Sequence, residues 1–169
     1  MAFKDTFLPE FDREMAAARK HLERVPEDKL AWKPHQKSGS MGWLAAHIAD
    51  IPAWAVRGIK QDSVDLAPAG VEHKAPTPPS SRQALLELFD GNVAAAREAV
   101  AGAEDAHLAQ NWSLLMKGQA IMTMPRTAVL RNFMMNHLIH HRAQLGIYLR
   151  LCEVPVPATY GPSADDAGL

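Results

Sequence analysis

Four long stretches of this chain carry apolar side chains at intervals of three and four residues. That spacing places the apolar groups along one side of an α-helix. The stretches cover residues 3–25, 41–60, 81–102 and 125–151. Helices with a single apolar stripe are stable only when the stripes pack against one another. The pattern therefore predicts an all-α fold, a four-helix bundle, for the whole chain.

Proline and serine residues mark the expected helix boundaries. Pro26 should end the first helix, and either Ser38 or Ser40 can cap the second. Pro52 lies inside the second helix and should bend it, because proline has no backbone N–H to donate. Ser80 followed by Gln83 predicts a capping box at the third helix, whose stripe runs from Leu85 through Leu88 to Val100, and Pro125 suits the first turn of the fourth.

The connections between these helices differ in length and character. Residues 61–80 are rich in proline and show no periodicity, which predicts a long crossover connection between helices 2 and 3. The segment WSLLMKGQAIMTM favours a short β-hairpin around Lys117 and Gly118, with a turn-rich coil as the alternative. Residues 153–169 contain three prolines and should form an extended C-terminal tail on the surface.

The charge balance of the chain excludes some classes of partner. The 169 residues include 18 basic and 19 acidic side chains, and the formal net charge of −1 gives no field that attracts nucleic acid or anionic lipid. The N-terminus lacks the apolar core of a signal peptide, and no apolar run is long enough to span a membrane. These features predict a single domain, residues 1–169, that is cytoplasmic and acts on a small molecule.

Histidines interrupt the apolar stripe of the fourth helix, in the run NHLIHHRAQLGIYLR at residues 136–150. His137 and His141 are four residues apart, so their rings share one helical face and can converge on one ion. A helical projection places both within the stripe and puts Arg142 and Gly146 on the opposite, solvent side. His140 falls at the edge of the stripe, facing either solvent or a neighbouring helix.

His47 repeats this feature on the inner side of the second helix. Three imidazoles around one divalent ion form an open site that leaves room for water or substrate. Leu138 follows His137, so the HExxH protease motif with its glutamate base is absent. The alternative for each histidine is a core residue hydrogen-bonded to a backbone carbonyl or hydroxyl. The remaining histidines are expected to be surface residues outside the site: His21, His35, His73 and His107.

A few other side chains are candidates for roles near such a site. Trp43 and Trp54 flank His47 in sequence and can line a pocket, although buried aromatics more often belong to the core. Asp50 and Asp165 are candidate catalytic residues, as a base or as partners that orient a ligand. Cys152 is the single cysteine, which excludes an internal disulfide and a multi-thiolate metal site.

Three segments together resemble the DinB family (DinB/YfiT-like proteins): WKPHQKSGSMGWLAAHIAD, MTMPRTAVLRNFMMNHLIHHRAQLGIYLRL and VPVPATYGPSADD. The resemblance implies a four-helix bundle with a long crossing connection. It implies metal ligation by His47, His137 and His141, commonly of zinc or nickel, and a homodimer. It also implies reactions that use a low-molecular-weight thiol such as bacillithiol or mycothiol. Ala143 and Asp166 depart from the family pattern, which has glycine and glutamate there, and the role of His140 is left open.

Two functions agree with these observations. In the first, the chain is a metal-dependent enzyme, a thiol transferase or hydrolase, whose ion lowers the pKa of water or of a thiol. In the second, it is a non-catalytic, stress-associated metal-binding protein or a dimeric interaction protein, whose site stabilises the bundle or senses a ligand without turnover. A ligand position open to water favours the enzyme, and a site closed by a fourth side chain favours the structural role.

Overall fold

The computed structural model describes residues 1–71 and 79–166. Within them lie α1 (Phe3–Leu22), α2 (Met41–Asp50), α3 (Ala53–Lys60), β1 (Ser63–Asp65), α4 (Arg82–Gly102), α5 (Asp105–Leu108), β2 (Asn111–Met116), β3 (Gln119–Pro125), α6 (Arg126–Val129) and α7 (His137–Leu151). A 3₁₀ turn covers Glu27–Lys29, and a π-helical segment, Leu130–Asn136, joins α6 to α7. The fold is therefore mostly helical, as the stripes predict, with a small sheet added.

The helix boundaries agree with the sequence in some places and differ in others. Ser40 caps α2 by accepting a hydrogen bond from the backbone N–H of Trp43 at 3.2 Å. The second predicted helix is divided at Ile51 and Pro52 into α2 and α3, because proline interrupts the helical hydrogen bonds. The cap predicted at Ser80 is wrong by one residue: Ser81 accepts the N–H of Ala84 at 3.1 Å.

The β-hairpin predicted around Lys117 and Gly118 is confirmed. Both residues have positive φ angles, 54° and 78°, as a two-residue hairpin turn requires. β2 pairs with β3 in antiparallel fashion, and β1 adds to the other side of β2 in parallel. The sequence did not predict β1, because three residues are too few to show a period. Residues 72–78 of the predicted crossover lie outside the described residues.

The main core is formed where the long helices meet. α4 packs against α1, α2 and α3, and α7 packs against α1 and α2. A second apolar cluster lies under the sheet, around Trp112, Leu114 and Val129. Leu88, predicted in the stripe of α4, is instead exposed. No described helix is both long and apolar enough to cross a membrane.

The buried side of α7 differs from the predicted one. Arg142 and Gly146, expected in solvent, are buried because α7 packs on α1 as well as on α2. Arg142 is buried as an ion pair: its guanidinium lies 2.7 Å from the carboxylate of Glu14 on α1. His137 and His141 consequently lie at the border of the buried face and are only partly covered.

His21, expected on the surface, is also buried. Only 4% of the residue is exposed. Its Nδ1 lies 2.9 Å from the carbonyl of Ala17, so the ring N–H has a partner inside its own helix. A Cβ added at Gly146 would lie 3.7 Å from the His21 ring. The ring therefore packs where α1 meets α7, and its position near the end of α1 concealed this burial in the sequence.

The C-terminal tail has no helix or strand in residues 153–166 and is fastened at several points. Tyr160 donates its hydroxyl hydrogen to Glu14 at 2.7 Å and accepts a hydrogen bond from Arg142 at 2.8 Å. Asp165 pairs with Arg150 and accepts the backbone N–H of Val156. The predicted extended tail is thus anchored to α1 and α7 by polar contacts.

Candidate metal centre

Three histidine side chains converge between α2 and α7. His47 lies in the last turn of α2, His137 is the first residue of α7, and His141 follows one turn later. The π-helical segment ends at Asn136, directly before His137. Such segments are rare and occur often at functional sites. Within the described residues, these three form the one group of metal-ligating side chains whose ligand atoms lie within 4.8 Å of one another.

The ring nitrogens are spaced as ligands of one ion. Nε2 of His137 lies 3.2 Å from Nε2 of His47 and 2.9 Å from Nε2 of His141. Two imidazole nitrogens on one zinc ion, each about 2.05 Å from it, would be about 2.9–3.3 Å apart for bond angles between 90° and tetrahedral. These two distances agree with that range, and all three ligand atoms lie within 4.8 Å of one another.

The hydrogen bonds of the Nδ1 atoms determine which ring nitrogens of His137 and His141 carry hydrogen. Nδ1–H of His141 donates to Oε1 of Gln144 at 2.7 Å, and Nδ1–H of His137 faces the carbonyl of Phe133 at 3.4 Å. Each Nε2 of this pair therefore presents a lone pair, and two lone pairs 2.9 Å apart repel each other. A cation between them would remove that repulsion, so the donor set fits a divalent metal ion.

Burial keeps these imidazoles neutral. It lowers the pKa of His47 to about 4, and the neighbouring rings of His141 and His137 contribute to the shift. Burial also lowers the pKa values of His137 and His141, although the partners of their Nδ1 atoms act in the opposite direction. The three rings are therefore unprotonated near neutral pH, which is the form that binds metal.

Trp43 covers one side of the centre. Its ring stacks on His47, with centroids 5.1 Å apart and planes at 13°, and its edge faces His141. The residue is nevertheless 41% exposed, so the centre lies next to solvent. Gly39 makes this position possible, because a Cβ there would lie only 2.3 Å from the Trp43 ring. The pocket role predicted for Trp43 stays a prediction, although the contact with the histidines agrees with it.

Trp54 lies farther along the same side of the protein. Its ring contacts Phe133, with centroids 6.0 Å apart, and Trp112 at 6.4 Å. Phe133 supplies the carbonyl that faces Nδ1 of His137. Trp54 is thus connected to the centre through Phe133, and its predicted place in a pocket also stays a prediction.

The two candidate aspartates occupy different places. Asp50 lies one turn beyond His47, where its charge opposes the lowering of the His47 pKa, and it pairs with Arg57 at 3.4 Å. Asp165 contacts Arg150 and Val156, and none of its hydrogen bonds within the described residues reaches a histidine of the centre. His140 is exposed, and its ring lies 4.9 Å from that of His141 without joining the group.

The residues that the sequence did not assign are the ones that orient the histidine rings. Gln144 stands three residues after His141, a spacing that allows side chains on a helix to meet. That spacing was a usable signal. The carbonyl of Phe133 and the space at Gly39 left no comparable signal, although each lies only four residues from its partner, because a backbone carbonyl and a glycine offer no side chain that marks the role.

Comparison with known proteins agrees with this fold. The family model of the DinB superfamily matches residues 10–145. A DinB-like protein from Bacillus cereus ATCC 10987 superposes with a TM-score of 0.70 at 22% identity, over 91% of this chain and 95% of that one. The DinB-like protein YjoA from Bacillus subtilis gives 0.65 at 17% identity, over 92% and 98%. No curated protein sequence matches the chain.

Fold and site together define a mostly helical protein with a three-histidine centre at the border of its core. The chain belongs to the DinB superfamily.

Proposed function

We propose that this protein is a metal-dependent enzyme whose divalent ion, zinc or nickel, is held by His47, His137 and His141. The observation that carries the proposal is the convergence of their Nε2 atoms, two of them with Nδ1–H engaged elsewhere. A buried hydrogen-bonded histidine needs one partner, whereas here three rings point at a common centre. Their partial exposure supports catalysis over a closed structural site.

When bound, the ion would supply Lewis-acid chemistry, lowering the pKa of a water molecule or of a low-molecular-weight thiol toward neutrality. The residues of the chain do the rest. Gln144 and the carbonyl of Phe133 orient the imidazoles, and Trp43 excludes water from one side. Asp50, one turn from His47 and partly exposed, is proposed to accept the proton that the water or thiol loses. The catalytic role predicted for Asp165 stays a prediction, and its contacts support a role in fastening the tail.

The wider organisation follows from the same features. We propose that α1, the pair α2 and α3, α4, and the pair α6 and α7 are the four helices of a bundle within one domain. A cytoplasmic homodimer is the proposed state. Ile147 and Leu151 support it, because they lie one turn apart on α7 and are 62% and 56% exposed. An exposed apolar patch marks an interface when it is contiguous, and these two side chains would form its centre.

Metal-loaded and metal-stripped protein would be compared in two reactions: conjugation of 2-mercaptoethanol to an aryl chloride, and hydrolysis of a nitrophenyl ester. We expect the loaded protein to accelerate at least one of them, and His47→Gln to lose the acceleration. His140→Ala is the control, because His140 lies beside the centre without belonging to it. Equal rates for loaded and stripped protein in both reactions would leave a metal-binding protein without this catalytic function.

A further inference from the structure

Aromatic and histidine side chains form two facing rows that extend beyond the metal centre. Three pairs face one another across the rows: Trp43 with His141, His47 with His137, and Trp54 with Phe133. The first row follows α2 and α3, and the second follows the π-helical segment and α7. The Trp54 and Phe133 pair therefore lies next to the centre, on the side opposite Trp43.

Arg57 lies at this end of the rows. Its guanidinium is 5.1 Å from the centroid of the Trp54 ring, in cation–π contact. It also reaches back to Asp50, which is one helical turn from His47. The positive charge is thus linked to the three histidines on two routes, through Asp50 and through the pair of Trp54 and Phe133.

The pair of Arg57 and Asp50 is loose compared with similar pairs in this protein. Both of its N–O distances are 3.4 Å, longer than an ordinary hydrogen bond. Arg97 with Asp12 and Arg131 with Glu10 show two-point contacts of 2.7–3.1 Å. The Arg57 and Asp50 side chains are 35% and 45% exposed, so an incoming anion can reach the guanidinium.

We propose that Arg57 is the anion-binding residue of the substrate site. It would take the carboxylate of a small molecule whose reacting group lies at the three histidines, and the intervening part of the molecule would lie on Trp54 and Phe133. A guanidinium binds a carboxylate most strongly through two parallel hydrogen bonds of about 2.7–2.9 Å, whereas the two contacts with Asp50 are 3.4 Å long. The proposal rests on the proposed function, which it deepens by naming carboxylated substrates, thiols included.

Binding of thiols to the cobalt-substituted protein tests this site without any turnover. Thiolate bound to cobalt gives a charge-transfer absorption, from which affinity is read. The probes are two series of equal chain lengths, ω-mercaptoalkanoates and the neutral ω-mercaptoalcohols. We expect the carboxylates to bind about tenfold more tightly than the alcohols at the best chain length, the effect of one charge-assisted contact.

Variants show whether a preference for carboxylates comes from Arg57 or from the overall charge of the protein. Arg57→Gln should abolish the preference for carboxylates and leave the alcohols unchanged. Arg97→Gln removes a more exposed, aspartate-paired arginine on α4 and should change neither series. Asp50→Asn frees the guanidinium and should increase the preference.

Two results would overturn the proposal in different ways. Equal affinities for the two series, unaffected by Arg57→Gln, would eliminate the anion site and leave thiol binding by the metal centre intact. If no thiol gives the charge-transfer absorption in protein shown to contain cobalt, thiols are not activated at the three histidines. Binding of carboxylated thiols by Arg57 would then be eliminated as well.

Discussion

Nε2 of His137 lies 2.9 Å from Nε2 of His141, although Nδ1–H of each ring faces an oxygen elsewhere. The two lone pairs therefore point at each other, an arrangement that is unfavourable without a cation. Helical spacing brings the rings together, and Gln144 and Phe133 determine how they are turned. The role of these orienting groups can therefore be tested by substitution.

Gln144→Ala should weaken metal binding without removing a ligand. The variant leaves Nδ1 of His141 without its acceptor, so the ring loses its fixed orientation. Loss of a partner of this kind typically lowers metal affinity about 10–100-fold. Competition with a chromogenic chelator would measure the change. Gln83→Ala is the control, since the side chain of Gln83 bonds to Glu87 on its own helix, α4, and a similar loss there would contradict the assigned role.

Gly39→Ala should displace Trp43 from His47. The added Cβ would lie 2.3 Å from the Trp43 ring, a distance that real contacts never show. We expect a change in tryptophan fluorescence and a reduced response of that fluorescence to added zinc. Trp43→Phe identifies the part of the signal that comes from this residue. Unchanged emission in Gly39→Ala would mean that Trp43 does not depend on the space at Gly39.

The metal-free protein should lose stability as the pH falls from about 6.5 toward about 4. In this range the unfolded chain binds a proton at His47, whose folded pKa is about 4, so protonation favours unfolding. The lowered pKa values of His137, His141 and His21 act in the same direction. Thermal unfolding across this range would measure the loss, which His47→Gln should reduce. Stability that does not fall with pH would show that the rings are not held neutral.

The buried ion pair between Glu14 and Arg142 should be costly to break. The two side chains are 2% and 3% exposed, and Tyr160 bonds to both. Glu14→Ala leaves a buried guanidinium without its carboxylate, a change that typically costs about 3–5 kcal/mol. Tyr160→Phe removes only the hydroxyl and should cost about 1 kcal/mol. Denaturant unfolding compares the two, and equal losses would contradict a central role for Glu14.

Much of the fold could be predicted because its signals are local. The helical stripes, the cap at Ser38 or Ser40, of which the structure uses Ser40, and the hairpin turn at Lys117 and Gly118 each depend on a few adjacent residues. The burial of Arg142 could not be predicted, because it depends on Glu14, 128 residues away in sequence. β1 could not be predicted either, since its three residues form a strand only by pairing with β2.

The same contrast holds at the metal centre. The spacing of His137 and His141 predicted that the two rings lie together, as they do in the structure. His47 joins them from α2. Their partial exposure was not predicted, because the projection centred the buried side of α7 on the histidines instead of toward Arg142. That difference bears on function, since a centre at the border of the core can admit a substrate.

Metal content of the purified, untagged protein tests the central claim most directly. Elemental analysis would compare the native chain with His137→Ala/His141→Ala and with His140→Ala as the matched control. We predict about one divalent ion per chain in the native protein and in His140→Ala, and almost none in the double variant. Equal, near-zero content in all three after zinc or nickel is supplied would contradict the account and make the three histidines hydrogen-bonded core residues.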